Sequence, residues 1–456
     1  MLATPDKKMP SGSWTDDPEI RKLSDEGENG YDSSNKSKKA AFAHPTVKDV
    51  TAAWSQGTSI HGMTYCFGMD EFLLWKRFFW GIVVCVSTGL MFWQITLLFK
   101  EYLKFGTATS IEPHFPQGLT FPKVTVCNSN MFYPDAKNET GIEYPSNDKE
   151  VFSISQVGIL GVESLIFQSS FDEKKLDSGN WTPVVTPFGL CVAFQTDQLV
   201  YTSGLDGGLE FVADIDQGNF EDITDIAGLF VFISEPTVSV TFGSPFVMVS
   251  PGGFDFLSIS KSSIQRIEES PWSSCVGSDP TYTQETCRSN CLNSALDKEC
   301  GCSYFGIPAA NSPYCTTEEE RACQNKHSIA DAEFDACECE RPPCFQVDYT
   351  VRSSRLSLSR NDVVATMVNE GLTEEEVLQN TVSVQINFES IREERVSESK
   401  VMSKTQLLSN IGGQMGVFLG VSFISLIELF GELMVFRLLP RLGGDRRLYG
   451  IGSKSD

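Results

Sequence analysis

The chain has 456 residues, 60 of them acidic and 36 basic, for a formal net charge of −24. That length holds two or three domains of roughly 150 residues or one large composite fold, and an apolar share of 41% is enough to fill a core, which excludes wholesale disorder. The acidic balance argues against nucleic acid, whose phosphates need clustered Lys and Arg. In chain order, residues 1 to about 45 are polar with mixed charge and read as a flexible tail; they carry no secretory h-region or small-residue cleavage site. Phe78 to Phe99 (FFWGIVVCVSTGLMFWQITLLF) then runs 22 residues without a charge. As a helix it covers about 33 Å, enough for a hydrocarbon core of about 30 Å. Lys76 and Arg77 before it, with Trp80 and Trp93 near its ends, favour a membrane span over a buried soluble helix.

The segment that follows is mixed. Residues 119–128 (LTFPKVTVCN), 189–195 (GLCVAFQ) and 228–233 (GLFVFI) are short, β-branched and aromatic, as strands are, and Val382 to Phe388 (VSVQINF) alternates with period two. Asn361 to Gln379 reads as one or two short helices, with Asn361 and Thr373 as caps. Ten cysteines crowd into Cys275–Cys344, a disulfide-stapled unit. A second apolar stretch, Asn410 to Phe436, is charge-free as far as Ile427 and then carries Glu428 and Glu432, which share a helical face. Such carboxylates either face a bundle interior or water, or lie beyond the interface. Arg437, Arg441, Arg446 and Arg447 follow.

Both apolar stretches are basic on the side facing a terminus, so the positive-inside rule places both termini in the cytosol. The middle of the chain is then extracellular. It holds 12 of the 14 cysteines and the sequons at Asn138 and Asn180, whereas the sequon at Asn35 falls in the cytosol and is expected to stay bare. Cys66 and Cys85 are expected as free thiols. Residues 100–405 contain 45 acidic and 21 basic groups, so the whole −24 lies on that side. Two helices per chain cannot enclose a water-filled pore, so a pore needs three or more chains.

Several motifs carry the reading further. Thr58-Ser59-Ile60-His61-Gly62 precedes the first helix, and Phe121-Pro122-Lys123-Val124-Thr125-Val126-Cys127-Asn128 follows it. Leu407-Leu408-Ser409-Asn410-Ile411-Gly412-Gly413-Gln414-Met415-Gly416 opens the second helix, which is expected to continue through Gly420-Val421-Ser422 to Glu428. In order and spacing, from residue 58 to about 432, the chain resembles the degenerin/epithelial sodium channel/acid-sensing ion channel superfamily. The resemblance implies an α+β membrane protein that forms a homotrimer, or a heterotrimer with related subunits. Two transmembrane helices would flank a disulfide-rich ectodomain of palm, β-ball, finger, thumb and knuckle. It implies a cytosolic N-terminus over 1–77, helices over 78–99 and 406–436, an extracellular domain over 100–405 and a cytosolic C-terminus over 437–456. It also implies the pairs Cys127–Cys191, Cys275–Cys344, Cys287–Cys339, Cys291–Cys337, Cys300–Cys323 and Cys302–Cys315.

By the same resemblance, Gly420, Val421 and Ser422 are the selectivity filter, three chains supplying rings of carbonyl and hydroxyl oxygen in place of water. Gly412, Gly416 and Gly420 also form a small-residue stripe that lets helices approach closely. Ser409 aligns with a position at the pore mouth whose enlargement holds family members open. Gly416 aligns with a residue contributing to block by amiloride, and Glu428 with a pore-lining glutamate. Asn410 stands where acid-sensing members carry aspartate. His61 and Gly62 match a re-entrant gating motif. Trp272 resembles the thumb tryptophan that packs on an aromatic above the first helix, with Phe105 or Tyr102 as its partner.

The stimulus is left open. Acid gating needs carboxylates that titrate in mild acid, and the clusters at Glu268-Glu269, Glu318–Glu320 and Asp331 to Glu340 are candidates. Against it, the histidine pair of some acid-sensing members is replaced by Gly106-Thr107, and Asn325 and Ile329 stand near the places of thumb carboxylates. Proteolytic activation lacks basic sites, since Leu176 to Ser260 contains neither Lys nor Arg. A basic peptide ligand would suit an acidic ectodomain.

The expectation is therefore an amiloride-sensitive plasma-membrane channel, gated by protons or a neuropeptide and conducting Na+, with no cofactor and no metal site. The alternatives are a constitutive or mechanically gated member, or a non-conducting subunit of a heteromer. No catalytic constellation is present to support an enzyme, and the acidic ectodomain fits poorly with an ATP-gated channel. A non-conducting receptor or adhesion protein would have no use for G-x-S and Glu428 in a membrane helix.

Overall fold

The computed structural model describes residues 60–67, 74–131, 146–151, 165–220, 225–277, 279–307, 312–326, 339–358 and 373–438, with isolated positions 55, 57, 58, 337 and 365. The N-terminal tail, the sequons at Asn35 and Asn138, most of the acidic run after Asp331, the cap expected at Asn361, Ile329, and Arg441, Arg446 and Arg447 lie outside the described residues. The chain divides into two compact units, Met1–Ile82 and Val83–Asp456.

In the first unit, helix α1 (Met63–Phe67) follows Gly62, whose φ of 87° suits a residue without Cβ. The Thr64 hydroxyl donates to the Ser55 carbonyl at 2.8 Å, and the Tyr65 ring stacks on Trp80 at 4.9 Å. Helix α2 (Leu74–Tyr102) extends the expected 78–99 span by a turn at its start and almost a turn at its end, because Lys76, Arg77 and Lys100 are good helix formers. Among the described residues it is the one helix long and apolar enough by itself to cross a bilayer. Its apolar residues are exposed on several faces, including Leu74, Phe78, Phe92 and Trp93. A helix that is hydrophobic all round needs an apolar surrounding. Thr88 and Thr96 turn their hydroxyls back onto the Val84 and Phe92 carbonyls, which satisfies them inside such a surrounding.

The second unit is built on two large sheets and one two-stranded sheet. The strands are β1 (Thr107–His114), β2 (Leu119–Thr120), β3 (Lys123–Asn128), β4 (Ile166–Phe171), β5 (Lys174–Lys175), β6 (Trp181–Thr186) and β7 (Gly189–Phe194), followed by β8 (Leu199–Val200), β9 (Leu209–Asp214), β10 (Leu229–Ser234), β11 (Phe246–Val249), β12 (Gly253–Gln265), β13 (Phe345–Ser357) and β14 (Thr381–Lys400). One large sheet has the order β13-β12-β14-β9-β4-β5, with β1 added on the far half of β14; the other runs β11-β10-β3-β7-β6. The strand expected over 119–128 is split at Phe121-Pro122, since proline has no N–H to give a ladder.

The two large sheets face each other across one core. Val382, Val384, Ile386 and Phe388 alternate inward from β14 and meet Val124, Val126 and Phe194 of the opposite sheet. Phe121 lies at the centre, with ring centroids 5.1 Å from Phe171 and 6.2 Å from Phe388. The 20-residue β14 is far longer than the expected strand: its second half, rich in charge, is held by parallel pairing to β12 and antiparallel pairing to β1.

The helical unit consists of α3 (Gln284–Cys300) and α4 (Glu318–Lys326). Thr283 caps α3 by accepting from the Thr286 N–H, and Gly301 ends it at φ 71°. The cysteine pairs formed are the six implied by the resemblance: Cys127–Cys191, Cys275–Cys344, Cys287–Cys339, Cys291–Cys337, Cys300–Cys323 and Cys302–Cys315. Cys287 and Cys291 are four apart and so leave α3 from one face. Cys66 and Cys85 take part in none of these disulfides. Helix α5 (Glu374–Asn380) starts at Thr373 with a capping box to Glu376.

The second apolar stretch corrects an expectation. Instead of one helix over 406–436, it forms α6 (Lys404–Leu419) and α7 (Phe423–Leu438), interrupted at Gly420-Val421-Ser422.

Candidate functional site

The interruption has a local cause. Gly420 adopts φ 65°, ψ 18°, left-handed backbone that is cheap for glycine. Its N–H donates to the Gly416 carbonyl at 2.9 Å, and the Val421 N–H reaches the Met415 carbonyl at 3.3 Å, closing α6. The next helix begins at once: the Ser425 N–H donates to Ser422 Oγ at 3.2 Å and the Ser422 N–H to Ser425 Oγ at 3.1 Å. This reciprocal Ser-x-x-Ser cap satisfies two donors that a helix start otherwise leaves bare. A glycine alone does not break the helix, since Gly412, Gly413 and Gly416 remain within α6.

Ser409, Gly412, Gly413 and Gly416 are linked by three- and four-residue steps and lie along one stripe of α6, with Gly420 four residues further on, just past its end. A Cβ placed on Gly412, Gly413 or Gly416 meets no atom within 4 Å, so no contact inside this chain explains glycine there. Ser409 is exposed, Asn410 half-buried, and Glu428 exposed on α7. His61 and Gly62 lie in the first unit, in the turn before α1.

A second constellation lies where α2 ends. Trp272 is 5% exposed, and its ring centroid sits 5.2 Å from Phe105 and 5.9 Å from Tyr102, both edge-on. The structure thus brings together all three residues expected in this contact, with both aromatic candidates used. Lys400 Nζ lies over the same indole, 4.4 Å from its centroid, and forms an ion pair with Glu269. Sequence reasoning missed Lys400, because a lysine at a strand end normally reads as a solvated charge.

In two of the acidic clusters singled out in the sequence, one carboxylate each is shifted away from titration in mild acid. Hydrogen bonding and charge from Lys400 hold Glu269 below the usual carboxylate range, and the Thr317 and Thr316 backbone N–H groups do the same for Glu320. The raised carboxyls lie elsewhere. Burial pushes Asp214 up, with the Asp216 charge adding to it, and burial raises Asp255 although Arg355 stands 3.3 Å away. Neither belongs to an acidic run of the kind searched for in the sequence, and only their place on strands β9 and β12 buries them. Among the described residues no group of His, Cys, Asp and Glu is arranged to hold a metal.

A protein-family model described as "Amiloride-sensitive sodium channel" matches residues 54–156 and 143–431. The chain is 24% identical over 479 residues to acid-sensing ion channel 1B of Danio rerio, covering 93% of this chain and 84% of that one. It is 26% identical over 422 residues to acid-sensing ion channel 4-B of Danio rerio (83% and 74% covered) and 24% identical over 416 residues to the bile acid-sensitive ion channel of Homo sapiens (78% and 81% covered).

Proposed function

From the premise that this chain belongs to the amiloride-sensitive sodium channel family, whose members are ion channels and not enzymes, we propose that it is a subunit of a trimeric, plasma-membrane, Na+-conducting channel. The observation that carries this reading is the break at Gly420-Val421-Ser422. A helix ending inside an apolar segment leaves terminal carbonyls outside the helical ladder, and non-helical backbone at membrane depth is tolerated where it lines water or an ion path. Three such breaks around an axis supply rings of oxygen at one level. The exposed glycine stripe that no intrachain contact explains is the surface on which those chains approach. Helices α6 and α7 together form the second membrane segment, and both termini face the cytosol.

Gating is by an extracellular ligand, a proton or a peptide, and amiloride blocks at the level of Gly416. The carboxyls for proton uptake are Asp214 and Asp255, whose burial already raises them. The strongly acidic middle of the chain concentrates cations near the pore mouth, within a screening length of about 8 Å at physiological salt.

The test is expression of the full chain in oocytes under two-electrode voltage clamp, with pH steps, a panel of basic peptides, and a bulky residue at Ser409. The expected result is an amiloride-blockable current whose reversal potential follows the Na+ gradient. Surface-expressed protein that passes no current under any of these treatments overturns the homomeric form of this reading.

A further inference from the structure

The aromatic contact at the end of α2 reaches only the first membrane segment. A second set of contacts on the same turn reaches the other one. Glu269 and Trp272 belong to one tight turn, since the Trp272 N–H donates to the Glu269 carbonyl at 3.1 Å and the Ser273 N–H to the same oxygen. From that turn, the Trp272 ring and the Glu269 carboxylate converge on a single ammonium, Lys400 Nζ. Lys400 is the last residue of β14, and Ser403, three residues on, is the N-cap of α6, accepting from the Gln406 N–H at 3.1 Å. Two further links follow the same route. The Ile267 N–H donates to the Glu398 carboxylate at 3.3 Å, and Lys404, the first residue of α6, adds its charge to the field around Glu269.

We propose that Lys400, gripped between Trp272 and Glu269, is a positioning residue that ties the disulfide-stapled helical unit to the second membrane segment, so that one turn drives both segments. This rests on the channel reading above. Chemistry favours a device over an incidental ion pair. An exposed lysine–carboxylate pair contributes little by itself because water competes for both partners. Here the Glu269 carboxylate is exposed, but the lysine side chain is only 25% exposed, and the indole face supplies a second attraction that water replaces poorly. Both partners come from one turn, so a shift of that turn displaces Lys400 as a unit. The strand leading to α6 has no slack: Thr107 pairs with Lys400, and the Val401 N–H donates to the Gly106 carbonyl at 3.1 Å.

The test uses full-length chains carrying S409C in oocytes, treated with a charged, membrane-impermeant methanethiosulfonate whose attachment enlarges that position. The readout is the rate at which current locks on, which depends on how the second segment is held. K400M and E269Q are each expected to change that rate by about three- to tenfold and in the same direction, while K400R stays within about twofold of the unaltered chain. The double variant K400M/E269Q is expected to match K400M, since both remove one device. Single-channel conductance and reversal potential are expected to stay unchanged in all of them. Surface biotinylation reports whether each variant reaches the membrane, and K400R supplies the folded control. Rates unchanged in K400M, or effects of K400M and E269Q that multiply as independent changes, overturn the proposal while the channel reading stands. If the reagent produces no current in surface-expressed S409C chains without further substitution, the homomeric channel reading falls, and the clamp falls with it.

Discussion

Replacing Gly420 by alanine tests whether backbone conformation, rather than side-chain size, sets the break in the second apolar segment. Gly420 is left-handed, at φ 65° and ψ 18°. A Cβ there costs about 1 kcal/mol, and alanine stabilises an uninterrupted helix by about 1 kcal/mol relative to glycine. Together these favour the continuous helix by about 2 kcal/mol per chain, a factor of roughly 30. The Ser422–Ser425 cap opposes the change by about 1 kcal/mol, so G420A/S422A is expected to go further than G420A. Asparagine tolerates the left-handed region far better than alanine does, and G420N is expected to keep the break although its side chain is larger. Hydrogen exchange of purified full-length protein in lipid nanodiscs, followed at residues 415–426, reads the outcome directly. Protection is expected to rise across the break in G420A, rise further in G420A/S422A, and stay low in G420N and in the helical control G413A. In oocytes the reversal potential should shift in the same order. Equal disruption by G420A and G420N would show that bulk at this position matters rather than backbone, and would refute the reasoning.

Other expectations follow from single residues. Because Glu269 is held below its ordinary pKa, its pairing with Lys400 is complete above that ordinary value and is lost only as pH falls through the lowered one; the K400M effect on S409C modification should therefore be the same at about pH 7 and about pH 5. Asp255 has the opposite sign: raised by burial, it holds its proton more tightly when folded, so its contribution to stability falls as pH climbs from the ordinary value to the raised one, and D255N should flatten thermal stability of the full chain across that window. Removing the Cys127–Cys191 bond, which spans 64 residues, should cost about 2–5 kcal/mol and reduce surface labelling of C127S/C191S. Asn180 is exposed, with its side-chain oxygen accepting from the Asp177 N–H at 3.0 Å; N180Q should remove one glycosidase-sensitive shift in mobility.

What the sequence disclosed tracks where each fold determinant resides. Helix α2 was legible because charges bound an uninterrupted apolar run. The first half of β14 was legible because Val382, Val384, Ile386 and Phe388 alternate toward a core. Its second half was not, since Arg392 and Glu394 are exposed charges and the pairing comes from β1 and β12. The cysteine pairs came from family resemblance, because spacing alone permits many pairings. The break at Gly420 escaped periodicity, as the glycines before it stay helical and the deciding signal, Ser-x-x-Ser, is short and common. Asp214 and Asp255 escaped because burial by distant strands is the largest cause of their perturbation, with local charge only adding to it at Asp214.

These particulars constrain how motion can reach a pore. The residues after α2 and before α6 are paired in register from Thr107↔Lys400 to His114↔Glu393. Parting them would break successive backbone hydrogen bonds, each contributing about 0.5–1.5 kcal/mol net, so the outer ends of the two segments move together or not at all. Separation at that level is thus a poor way to open a path. A change passed down α6 can instead act at the Gly420 break, where a left-handed residue and a serine cap already interrupt the helix and small rotations cost least. The turn bearing Trp272 and Glu269 touches both strands at the Thr107↔Lys400 end of this ladder, through Phe105 on one side and Lys400 on the other. On the proposed channel reading, a push from the helical unit would arrive at the ladder as a tilt of the pair rather than as a spreading of its strands, and the break would be the hinge that converts tilt into a change of pore width.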